Sequence, residues 1–374
     1  MQVKVQKLRE VMALLDPAIP GRPTLPVLVN VLLKDGKAAA TDLEVYVEID
    51  LPEADMECLI PHKSVLELLK YIPGNEMLTI ETDGELKFSW DGGSSSYPSG
   101  KPKDFPTVPK LTAKTQGTLD GNLLIAALAA ASQYCATDET RPVLSGVAIF
   151  PGENLDIAAG DGFRMAYQTI AATFPLDEPL IIPSGAVRVL HSLWQHTPPD
   201  VTLGDSLVGL VTQKRQLEIA LMGAKKGAAG DKLQMVFGSM TVLINLIQGT
   251  PPNFKQLIPK DIPTKVQFFP GELERAVKRL RAIANDGKGI VRLSWTTDTM
   301  TVSASSEEMG KVEGTLPVQA DNPDRVALNI KYLLEYLKGK EGMITLGVTG
   351  GTAPVVLRHR ASPLVLVMPM MVQW

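Results

Sequence analysis

The sequence predicts an α+β protein assembled from three copies of one helix-and-strand unit. Three observations carry this expectation. An apolar i, i+4, i+7 spacing occurs three times, a second spacing of i, i+3, i+7 occurs three times, and strand-like runs with turn signals fill the intervals. Recurrence of one supersecondary pattern along a chain marks a repeat architecture.

In the first copy, Leu8, Met12 and Leu15 fall on one helix face. Strand-like sequence follows, turned by Lys34-Asp35-Gly36-Lys37, a hairpin signal. Ile60-Pro61 then precedes Val65, Leu68 and Ile72; proline suits the edge of a helix, where its missing N–H costs nothing. Asp104-Phe105-Pro106-Thr107-Val108-Pro109 reads as an extended, proline-bracketed exit. The second copy repeats the order. Leu124, Leu128 and Ala131 make its first face, and Pro142-Val143-Leu144 with Val147 echoes Pro26-Val27-Leu28 with Val31. Pro151-Gly152-Glu153-Asn154 supplies a turn, Ile182-Pro183 precedes Val187, Leu190 and Trp194, and Asn253-Phe254-Lys255-Gln256-Leu257-Ile258-Pro259 closes the copy. The third opens with Pro270 and Gly271 ahead of Glu272 and Glu274, a helix start with acids in its first turn, and carries Leu273, Val277 and Leu280. Strand-like Ile290-Val291-Arg292-Leu293 and Thr299-Met300-Thr301-Val302 come next, then the face Ile330, Leu333 and Leu337. Domains are expected at 1–114, 115–260 and 261–374, within the size range of single cores.

Of the 374 residues, 45% are hydrophobic and 21% charged, which predicts a folded globular chain rather than a disordered one. The sequence has no long uncharged apolar run and its N-terminus lacks a signal-like apolar stretch, so a cytoplasmic protein without membrane contact is expected. Cys58 and Cys135 stand far apart without ligand spacing, which predicts reduced thiols and no metal site.

The formal net charge of −4 argues against a protein that coats DNA by bulk electrostatics. Contact with a polyanion then requires basic residues gathered on one surface. The polar sides of the expected helices carry Lys63 and Lys70, Arg188 and His191, Lys331 and Lys338, and Arg275, Lys278, Arg279 and Arg281. Two readings stay open: a wall facing a polyanion, or charges that solvate an outer helix face.

Nothing in the sequence points to catalysis or to a cofactor. Phosphate-loop, dinucleotide, nucleophile-elbow and zinc-protease motifs do not occur, and the Gly/Ala/Lys stretch at 223–232 lacks phosphate-loop spacing. His62, His191, His196 and His359 form no triad or ligand pattern. Asp42 and Asp161 hold corresponding places in two copies beside strands, where a structural role is expected.

Gly21-Arg22-Pro23-Thr24-Leu25-Pro26-Val27-Leu28-Val29-Asn30, followed by Thr41-Asp42-Leu43-Glu44 and Asp104-Phe105-Pro106, resembles the first-domain pattern of the bacterial beta sliding clamp family, the beta subunit of DNA polymerase III. Arg141-Pro142-Val143-Leu144-Ser145-Gly146 and Asp161-Gly162-Phe163-Arg164-Met165-Ala166 are similar to its second-domain strands. Asn329-Ile330-Lys331-Tyr332-Leu333-Leu334 and Val367-Met368-Pro369-Met370 are similar to its third domain, so the likeness spans the chain in order.

The resemblance implies a head-to-tail homodimer, closed as a ring of six similar domains with helices inside and sheets outside. Such a ring encircles double-stranded DNA without reading its sequence, and tethers the replicative polymerase, the clamp loader and other proteins carrying clamp-binding peptides. A clamp-fold interaction scaffold that has lost DNA encirclement is the alternative.

Sliding requires phosphate attraction without base readout. The family's DNA-contacting positions fall on Arg22 and Lys70; Arg275, Lys278 and Arg279 are added on helix spacing alone. The resemblance places a client-peptide groove at Leu144, Gly162, Phe163, Arg164, Met165, Pro252, Leu257, Tyr332, Val367, Met368, Pro369 and Met370. Methionines suit a surface that repacks around several ligands. The chain departs from the family at Phe163, where histidine is common, at Gln256 for arginine and at Gly160 for threonine, and it continues past Met370 with Met371-Val372-Gln373-Trp374, so peptide preference is expected to differ.

Overall fold

The computed structural model describes residues 1–108, 111–138, 140–197, 215–224, 231–360 and 362–374. Pro109, in the expected exit of the first copy, and residues 225–230 of the Gly/Ala/Lys stretch lie outside the described residues.

Among the described residues six helices occur where the apolar spacings place them: α1 (Val5–Leu15), α2 (His62–Leu69), α3 (Gly121–Ser132), α4 (Ser184–His196), α5 (Pro270–Asp286) and α6 (Ile330–Leu337). On α1, Leu8, Met12 and Leu15 are all fully buried, each such side chain contributing roughly 1.5–3 kcal/mol of transfer free energy. The expected faces of α3, α4, α5 and α6 are buried in the same way. The α2 expectation needs correcting. Leu69, not Leu68, enters the core, because the buried face runs through His62, Val65 and Leu69 at i, i+3, i+7, and Ile72 is buried beyond the helix end, after the chain turns at Lys70. Pro61 and Pro183 are the caps of α2 and α4, and Pro270 opens α5, each at a helix edge.

Each copy runs strand, helix, four strands, helix, three strands; a two-residue strand (Gln319–Ala320) is an addition in the third. The described chain divides into two compact units that cut across the repeat: one comprises 1–129, 148–155 and 170–250, the other 130–147, 156–169 and 251–374.

In the first unit, one sheet orders Gln2–Lys4, Met77–Asp83, Glu85–Trp90 and Gly93–Pro98. A second orders Cys58–Pro61, Asn30–Lys34, Lys37–Thr41, Val45–Asp50, Met240–Asn245, Lys232–Phe237, Gln216–Ala224 and Leu111–Asp120. Here the fourth strand of the first copy pairs antiparallel with the last strand of the second, Val45 opposite Ile244 and Ile49 opposite Met240. The hairpin at Asp35 and Gly36 has positive φ at both residues, the geometry its sequence signals.

In the second unit, Arg164–Ile170 pairs with Leu364–Val367, which continues through Val355–Arg358, Ile344–Val348 and Thr264–Phe268 to Gln319–Ala320. Again the fourth strand of one copy meets the last strand of the next, Arg164 opposite Val367. The remaining sheet orders Gly310–Pro317, Thr299–Ser306, Ile290–Trp295 and Asp324–Asn329, and α5 packs against it and against α6. Gly93–Pro98 and Gly310–Pro317 are each the terminal strand of their sheet. Among the described residues, no helix is long and apolar enough to cross a membrane.

Candidate functional site

A cavity of about 220 Å³ in the second unit is lined by Leu144, Gly160, Gly162, Phe163, Arg164, Met165, Pro252, Phe254, Leu257, Pro354, Leu366 and Met368. Its framework starts at the turn before strand Arg164–Ile170. Asp161 Oδ1 accepts the amides of Phe163 and Arg164, both at 2.9 Å, and Gly162 holds φ +92°, a conformation that favours glycine. The turn thrusts out Phe163, which is 58% exposed. Asp42 plays the same part in the first copy, accepting the amides of Glu44 and Val45, so both aspartates have the structural role expected of them. Phe163 O accepts the Met368 amide at 2.8 Å, extending the ladder to the groove rim.

The opposite wall comes from the short helical turn Phe254–Leu257, where the Asn253 side chain accepts the Gln256 amide. Leu257 stays exposed while Phe254 is buried against Gly160. A Cβ at Gly160 would lie 2.9 Å from the Phe254 ring and 3.1 Å from Arg164 O. The absent side chain at Gly160 is thus the space the Phe254 ring uses. Met165 and Leu366 pair across the strands and make the floor.

Arg164 lines the cavity, yet its guanidinium is engaged elsewhere. It donates from Nε to Asp161 Oδ2 at 3.1 Å, from Nη1 to Glu335 Oε2 at 2.5 Å and from Nη2 to Gln133 O at 3.2 Å. It also lies 4.5 Å from the Tyr332 ring centroid and 5.2 Å from that of Tyr134. Burial pushes the Tyr134 hydroxyl up to about 12 and raises that of Tyr332, so both rings are neutral near pH 7 and present their faces to the cation. Arg164 is therefore a brace for the turn rather than a free anchor for an anionic ligand.

Of the twelve expected groove residues, eight line the cavity. Tyr332, Val367, Pro369 and Met370 do not line it: Tyr332 lies against the Arg164 guanidinium, Val367 is buried in the ladder, Pro369 is half-buried, and the Met370 amide donates to Ala327 O at 2.8 Å. Phe254, Pro354, Leu366 and Gly160 were not among the twelve. Phe254 is hidden in a segment that reads as linker, and only the loss of a side chain at Gly160 hinted at a compensating neighbour.

The candidate DNA contacts are all exposed. Lys70 Nζ is 2.6 Å from Glu67 Oε2, and Lys278 Nζ is 2.7 Å from Glu274 Oε1. The glutamate beside Lys70 raises its pKa, keeping it charged. Arg22, Arg275 and Arg279 have no ion pair among the described residues. On α5, Arg275, Lys278 and Arg279 share the helix side opposite Leu273, Val277 and Leu280.

A model of the C-terminal domain of the DNA polymerase III beta subunit matches residues 255–371. The beta sliding clamp of Synechococcus elongatus is 26% identical over 369 residues, covering 92% of both chains, and that of Streptomyces coelicolor is 25% identical over 96% of this chain and 94% of its own. Among solved structures, the DNA polymerase III beta subunit of Thermotoga maritima superposes with a TM-score of 0.83 at 20% identity, over 100% of this chain and 99% of that one. The sliding clamp of Bartonella birtlesii bound to griselimycin gives 0.85 at 20% identity, with the same coverage.

Proposed function

We propose that the chain belongs to the beta sliding clamp family and is a DNA sliding clamp: two copies close head to tail into a ring around duplex DNA and hold the replicative polymerase there. Its relatives are processivity factors, accessory to the polymerase and not themselves catalytic.

One observation carries the reading. Twice within the chain, the fourth strand of one copy pairs with the last strand of the next. Applied a third time, the rule asks Gly310–Pro317 to find a Gly93–Pro98, and each of these ends its own sheet. A second chain supplies the missing partner, and reciprocal pairing closes the assembly. The three domains we propose, 1–114, 115–260 and 261–374, then become six equivalent positions around a ring.

Arg22, Lys70, Arg275, Lys278 and Arg279 are the proposed phosphate contacts. Long exposed side chains attract the backbone without reading bases, as sliding requires. The cavity between Phe163, Leu257 and Met368 is the proposed groove for client peptides, including those of the clamp loader. Its exposed apolar rim suits short hydrophobic segments.

The test is topological. Loaded onto nicked circular DNA, the protein should be retained through gel filtration and released when the circle is linearised. Equal retention on both forms would reduce it to an adhesive protein, and no retention on either would leave a scaffold without DNA. Light scattering should give twice the 40.4 kDa chain mass.

A further inference from the structure

A second concavity of about 390 Å³ lies in the same unit as the groove, and sliding and client capture leave it without a role. Three exposed cations border it: Lys260, Lys265 and Arg358. None forms an ion pair among the described residues, and no carboxylate lines the concavity. Gln267 and Thr345 add polar groups, with Gln267 Nε2 3.4 Å from Thr345 Oγ1. Gly347 has no side chain to fill the floor, and Ile262 lies over it so closely that a Cβ there would be 2.5 Å from Ile262 Cγ2.

Strand register joins this dish to the groove. Lys265 pairs with Gly347, Gly347 with Val356, Val356 with Leu366, and Leu366 with Met165. Directly opposed residues point to the same face of a sheet, so one row crosses five strands from the basic dish to the groove floor, with Gly347, Val356 and Leu366 buried beneath neighbouring groups along the way. At about 4.8 Å between strands, Lys265 stands roughly 14 Å from Leu366, a span that four or five extended residues cover.

From this continuity, and resting on the groove reading, we infer that the dish receives an acidic segment flanking the hydrophobic peptide that fills the groove. Charge decides the occupant: three unpaired cations on the face that already takes a peptide favour carboxylates carried a few residues along the same chain. The dish then adds selectivity among clients whose hydrophobic motifs are alike.

Fluorescein-labelled peptides test this on the full-length protein. One probe is a Leu-Leu-Phe head alone; others join it to a Gly-Gly-Glu-Glu-Glu tail at either end, or to a Gly-Gly-Ser-Ser-Ser tail. In one of the two polarities the glutamate tail should tighten binding about five- to tenfold over the head, the serine tail should not, and raising salt should erase the gain. Lys265→Ala with Arg358→Ala should abolish the gain while leaving affinity for the head unchanged. A glutamate tail that gives no gain in either polarity, or a gain that survives the double substitution, overturns the proposal. So does a labelled DNA duplex whose binding, rather than the peptide's, is lost in that variant. Failure of the groove reading is separate: head binding would then be indifferent to Leu144→Ala with Met368→Ala.

Discussion

Gly160 and Phe254 are a matched pair, one side chain omitted so that another fits. Gly160→Thr should force the Phe254 ring out and destabilise the chain by roughly 1–3 kcal/mol, as overpacking does. Combining it with Phe254→Ala should return part of that loss, and additive urea-midpoint shifts in the double variant would disprove the coupling. Arg164 makes a different prediction. With its side chain only 10% exposed between two carboxylates and two tyrosines, Arg164→Ala should cost about 3 kcal/mol, and lysine should rescue little because it cannot stack or fork. Urea unfolding that matches the parent would remove the brace from the account. Leu144→Ala with Met368→Ala should instead weaken a bound peptide and leave stability and dimer mass nearly unchanged, since both side chains are partly exposed. Titration of a labelled peptide against that variant checks it.

At the scale of elements, the strand Gly93–Pro98 is the informative one. Trp90 and Gly93 close its hairpin, so pairing alternates and the amides of Ser94 and Ser96 face the open side. Ser96→Pro should spare the internal ladder, remove one outward donor and shift dimer to monomer, visible as a lower mass in light scattering; an undiminished dimer at micromolar concentration would contradict it. The six helices and the order of the copies are legible in the sequence because burial leaves a 3.6-residue rhythm on apolar positions. The α2 register differs from its spacing by one residue, since Leu68 and Leu69 are both leucines at helical spacing from Val65, and burial of His62 on the same face selects Leu69. Eight of the twelve positions expected from family resemblance line one cavity. Phe254 and Pro354 are not, because a cavity wall made by short loops has no period, and Arg164 is legible as a position while its commitment to Asp161, Glu335 and two rings is not.

For the whole molecule, the proposed hold on DNA requires a chain of net charge −4 to gather cations on one surface. Arg22→Ala with Lys70→Ala should lower the fraction retained on circular DNA, more so as salt rises. If retention does not change between low and high salt, those two side chains lie off the DNA path. The terminal strands Gly93–Pro98 and Gly310–Pro317 carry a further consequence, one of stoichiometry. In the proposed ring each chain brings one plug and one socket, so sealing needs two independent events. Mix a protomer whose plug is spoiled with another whose socket is spoiled, and they can still couple through their intact ends. The expected product is a dimer of normal mass joined at one seam only, which should bind a labelled peptide like the parent yet fail to stay on circular DNA.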